Sequence, residues 1–182
     1  MGIGIVLDLI LLFAFVGGIL WCMRRGFVRT LVATLLLFLA TIVAALLYSP
    51  LIGLFSTSLG NPSSGRTAGA IVFGALVIVL YAVLEFTISR NYPDLRIARL
   101  GTWDNILGAL VGIVWSALAI SLFLLVLDFG AITIGSDITF VSDLLRTSFM
   151  VPLFRKFFLI PLAPIRLLFP HGLPEVLTYF TR

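Results

Sequence analysis

Charge is what this sequence has least of. Asp, Glu, Lys and Arg together make up 11% of its 182 residues, against roughly 25% in a soluble domain. That leaves too little polar surface to cover a water-soluble globule. A single cysteine, Cys22, excludes an intrachain disulfide and a cysteine-rich metal motif. The one histidine, His171, lies between Pro170 and Gly172 with no second histidine to share a metal, and reads as a loop residue. There is no phosphate-cradling glycine loop, no nucleophile–base pair and no metal-ligand spacing. We therefore assign no catalytic, cofactor-binding or metal residue and expect a protein that is not an enzyme. The net charge of +4 and pI of about 9.8 do not indicate nucleic-acid binding. The basic residues stand singly or in pairs beside apolar runs, as suits contact with anionic lipid heads, and form no patch or stripe.

What the chain has is grease in long runs: 61% of residues are hydrophobic and the mean hydropathy is +1.22. Four runs, Ile3–Trp21, Phe27–Leu47, Ala68–Ile88 and Ile106–Leu127, approach the roughly 20 residues that cross a bilayer. The fold class expected is all-α integral membrane, with four transmembrane helices and a C-terminal interfacial arm. The first run has no basic n-region before it and no small-residue cleavage site before Arg24, so it reads as a retained span. Tyr48-Ser49-Pro50 is expected to end the second run. A polar, turn-rich loop is expected across Gly53–Thr67.

The connection Arg24-Arg25-Gly26-Phe27-Val28-Arg29 is a short basic turn between the first two runs. Arg90, Arg96 and Arg99 lie in the third connection, and only Arg66 in the second. By the excess of basic residues on cytoplasmic loops, both richer connections face the cytoplasm, and the N- and C-termini lie outside.

The sequence divides into a transmembrane domain, residues 1–128, and an arm, residues 129–182. In the arm, Ser136-Asp137 could cap an amphipathic helix running to Met150. Ile138, Val141, Leu144, Leu145 and Phe149 would share its apolar face, and Pro152 would end it. Leu153–Phe169, broken by Pro161 and Pro164, reads as interfacial or re-entrant, with a fifth kinked span as the alternative.

Several residues inside or beside the runs need an account. Asp8 is an acid within the first span. It is either a proton or cation site or, as we favour, a polar anchor bonded to a neighbouring helix, with Ser116, Ser121 and Thr41 at comparable depth. Glu85 near the end of the third run is expected to pair with Arg29. Gly108, Gly112 and Ser116 recur every four residues and form a smooth strip for helix packing, against another helix of the chain or a second copy. Asp104-Asn105 suits the start of the fourth helix. Trp21 and Trp103 read as interface aromatics, and Cys22 as a small buried or interfacial residue.

Two stretches carry a family resemblance. One is the acid early in run one, then Gly17-Gly18, then Arg24-Arg25-Gly26-Phe27. The other is Leu100-Gly101-Thr102-Trp103-Asp104-Asn105-Ile106-Leu107-Gly108, continuing to Gly112. Together they resemble the CvpA family, the colicin V production proteins. The likeness covers about Ile3–Asp128. It departs at Asn105, where that family usually places a basic residue after the aspartate. The resemblance implies a bacterial inner-membrane protein tied to toxin production or export and to envelope homeostasis, with no known catalytic reaction.

The expected role is a non-enzymatic structural or partner-binding membrane component, contacting lipids and either further copies of itself or other inner-membrane proteins. The alternative is an oligomeric channel or transporter subunit using Asp8 and Glu85.

Overall fold

The computed structural model describes residues 2–59, 62–92, 102–131, 145–158 and 177. Four long helices follow one another: α1 (Gly2–Arg25), α2 (Phe27–Leu59), α3 (Pro62–Asn91) and α4 (Thr102–Ala131). A short fifth helix, α5, covers residues 150–158. Among the described residues there is no strand. The spans Gly4–Arg25, Phe27–Gly53, Gly69–Asn91 and Thr102–Asp128 are 22 to 27 residues long and apolar enough to cross a membrane. The protein is all-α and multi-pass, because a chain this apolar satisfies its backbone polar groups in hydrocarbon by staying helical.

α4 is the central rod, with 50% of its span buried inside the protein against 11% for α1. α1 packs on α4, α2 packs on both α3 and α4, and α1 and α2 meet little. Ala44, Phe73, Leu118, Leu125, Phe158 and Leu177 share one core cluster. Leu11, Ala117, Ile120, Leu124, Val151 and Phe154 share the other. α5 therefore packs with α1 and α4 through Val151 and Phe154, and joins the cluster of α2, α3 and α4 through Phe158, so these described arm residues pack into the helix bundle itself.

Three boundaries differ from the sequence reading. Pro50 does not end the second helix but lies inside it. The ring removes one backbone bond, whereas unwinding the apolar flanks in hydrocarbon would free several. The expected loop over Gly53–Thr67 is helical except at residues 60–61, which fall outside the described residues; Pro62 starts α3, where its missing N–H has no intrahelical role. In the arm, Pro152 does not end a helix but stands in the first turn of α5, and Phe149, placed on the apolar face by the sequence pattern, is 81% exposed. Ser136-Asp137 and residues 159–169 lie outside the described residues.

Candidate functional site at the helix corner

One residue, Gly26, separates α1 from α2. Its φ of 88° is left-handed, a conformation glycine reaches without the Cβ penalty. The turn closes with Gly26 N–H donating to the Cys22 carbonyl (3.2 Å) and Thr30 N–H to the Gly26 carbonyl (3.1 Å). The Thr30 hydroxyl donates to the Gly26 carbonyl at 2.8 Å and has the Cys22 carbonyl 3.1 Å away. The Thr30 side chain of α2 thus reaches back to the last turn of α1 as well as to the turn itself.

Asp104 completes the corner from α4. Phe27 N–H donates to its Oδ1 at 3.0 Å, and the residue is only 5% exposed. The sequence reading placed Asp104 just before the fourth helix as that helix's own cap. α4 begins at Thr102 instead, so Asp104 sits in its first turn. From there its carboxylate crosses to the start of α2, where the free N–H groups and the positive helix end favour an anion. A Cβ at Gly26 would run into Asp104 Oδ2.

The strip Gly108, Gly112 and Ser116 lies against α1 of the same chain. A Cβ at Gly108 would be 3.0 Å from the Gly26 carbonyl carbon, and one at Gly112 would be 2.6 Å from Cys22 Cβ. Ser116 abuts Gly18. The backbones of α1 and α4 approach this closely because both sides of the contact are small, which is how helices associate in lipid. Cys22 is buried in this contact. Gly17 faces open space, Asn105 and Trp103 are exposed, and Gly101 lies outside the described residues.

Glu85 bonds to Arg25, not to Arg29: Arg25 Nη1 lies 2.7 Å from Glu85 Oε1. The guanidinium of Arg25 rests over the ring of Trp21, one turn earlier, at 5.2 Å. That stacking holds the last side chain of α1 where α3 reaches it. Arg24 is exposed, and Arg29 is half-buried on the first turn of α2. Since the paired side chains are only 25% and 19% exposed, a double-mutant cycle on Arg25→Gln and Glu85→Gln is expected to give a coupling of about 1 kcal/mol. The same cycle with Arg29→Gln should give almost none. Unfolding of the detergent-solubilised protein measures both.

Asp8 belongs to a second constellation, towards the N-terminal end of α1. Its partners are not Ser116, Ser121 or Thr41. Thr41 donates to the Leu37 carbonyl at 2.8 Å. The hydroxyl of Ser121 lies 2.6 Å from the Ala117 carbonyl and 2.9 Å from the Phe154 carbonyl of α5. Asp8 instead accepts from the Ser148 hydroxyl, from Phe149 N–H (3.1 Å) and from Met150 N–H (3.0 Å). Ser148 Oγ in turn accepts from Val151 N–H at 3.3 Å. The next residue, Pro152, has no N–H, so the open donors at the start of α5 are all accounted for. Arg155 of α5 forms an ion pair with Asp128 at the end of α4.

Thr30, Ser148 and the Asp128–Arg155 pair were missed by sequence reasoning. Ser148, four residues before Pro152, carried a usable signal as a helix-start residue. The other two depend on contacts between distant segments.

The geometry defines a class: a small multi-pass helical membrane protein whose first two helices turn on one glycine and are clamped by an acid from the last span. Residues 7–158 match the family described as colicin V production protein. The chain belongs to that family. No curated protein and no solved structure matches it.

Proposed function

We infer that the protein acts in toxin production or export and in envelope homeostasis as a non-enzymatic scaffold of the bacterial inner membrane. One observation carries this reading. Each of the four described carboxylates is engaged in joining one element to another. Asp8 caps α5, Asp104 caps α2, Glu85 pairs with Arg25, and Asp128 pairs with Arg155. Acids used in this way hold a shape that a partner can read. The family supplies the link to toxin production. The arginines of the corner support an orientation with that corner in the cytoplasm and both termini outside. The partners in this reading are lipids and further copies of the chain or other inner-membrane proteins.

The test measures toxin release and folded protein abundance together, in cells carrying Asp8→Asn, Glu85→Gln or Asp104→Asn. A scaffold loses activity in proportion to folded protein. A variant that is abundant, folded and inactive at Asp8 or Glu85 would point to a transport path and overturn the scaffold reading. Cross-linking in native membranes then identifies the partner.

A further inference from the structure

A groove runs between α3 and α4, with a cavity volume of about 510 Å3. Its walls are Ile71, Gly74 and Ile78 on α3 and Ala119, Phe123 and Val126 on α4, with Leu37 of α2 behind them. The lining is almost wholly apolar. We propose that this groove is a binding site for one acyl chain of a membrane phospholipid, drawn from the leaflet on the side of the N-terminus.

Length carries the assignment. From Val126 to Trp115 along α4 the rise is about 16 Å, and from Ile71 to Tyr81 along α3 about 15 Å. One leaflet of a hydrocarbon core of roughly 30 Å is about 15 Å deep. The groove thus begins near the end of α4 that lies beside Asp8 and stops at mid-membrane. There Tyr81 and Trp115 close it, with their ring centroids 6.5 Å apart. The lips are exposed: Ile71 by 63%, Ile78 by 70% and Phe123 by 60%. The opening is therefore lateral, into lipid.

The shape favours a tail over a second copy of the chain. A helix is about 10 Å wide with its side chains and crosses the whole bilayer, whereas this groove ends halfway. Small residues keep it open while the helices still touch beside it. A Cβ at Gly74 would be 3.0 Å from Val126 Cγ1, and Ala75 and Ala119 add little bulk to the walls. The groove opens sideways into the bilayer, where the abundant apolar filler is an acyl chain.

The experiment uses full-length protein in nanodiscs containing a phospholipid with a photoactivatable diazirine midway along one chain. Labelled peptides are mapped by mass spectrometry. The groove predicts labelling concentrated at Ile78, Ala119 and Phe123. It should fall about ten-fold in Ala119→Phe and, independently, in Ala75→Phe, with helical content unchanged. Native mass spectrometry of the wild type should also show one phospholipid per chain surviving detergent exchange. That readout stands even if both filled variants fail to fold.

Labelling spread evenly over lipid-facing residues such as Ile5, Phe13 and Val83, or no retained lipid, would overturn the proposal. So would a disulfide-linked dimer formed by Ile78→Cys with loss of lipid labelling, because a second copy would then fill the groove.

Discussion

Gly26→Ala is expected to destabilise the protein by about 2–4 kcal/mol. Two effects combine. The left-handed backbone at φ 88° costs a residue with a Cβ about 1–2 kcal/mol. The new methyl also displaces the Asp104 carboxylate, whose Oδ2 lies in its way, and losing a helix cap costs about 1 kcal/mol or more. Asp104→Ala removes the same hydrogen bond to Phe27 N–H by another route. The two substitutions should therefore not add. In the double variant the methyl has nothing to displace, and only the backbone strain remains on top of the lost cap, a shortfall from additivity of about 1 kcal/mol. Unfolding in mixed micelles, followed by helical content, measures all three variants. Full additivity, or a Gly26→Ala protein as stable as wild type, would mean that the carboxylate does not hold the turn.

That corner shows how far the sequence could be read. The four rods were legible because hydrocarbon thickness sets their length and the runs have little charge to confuse the count. The strip Gly108-Gly112-Ser116 was legible as a packing face because its four-residue spacing is a local property. That it faces Cys22 and Gly18 was not, since nothing local says which helix approaches.

Asp104 illustrates the same limit. An acid at a helix start is readable, but its carboxylate serves the helix beginning at Phe27, which is remote in the chain. Glu85 pairs with Arg25, which rests over Trp21, and not with Arg29; the two arginines flank a one-residue turn, and nothing local says which of them faces α3. The prolines misled for a different reason. Pro50 would break a helix in water, but in hydrocarbon the cost of unwinding is larger; Pro152 falls in the first turn of α5, where its missing N–H has no intrahelical partner.

Asp8→Ala is expected to release α5 from the bundle. Three donors converge on that carboxylate: the Ser148 hydroxyl and the N–H groups of Phe149 and Met150. In water their loss would be the loss of a cap, about 1–2 kcal/mol. Phe149 is 81% exposed, so the freed N–H groups turn to solvent and the loss stays near that of a cap. The Asp128–Arg155 pair and the contact of Ser121 with the Phe154 carbonyl remain, so α5 should open more often rather than leave permanently. Arg146 and Lys156 are already exposed, so trypsin reads the opening. Cleavage at these two sites should quicken by about ten-fold or more in Asp8→Ala, since 1.4 kcal/mol of lost docking multiplies the open population tenfold. Asp8→Asn, which keeps one acceptor oxygen, should fall between. An unchanged cleavage rate in Asp8→Ala would mean that apolar packing of Val151, Phe154 and Phe158 alone holds the arm. Asp8 would then be a tolerated acid rather than the anchor of α5.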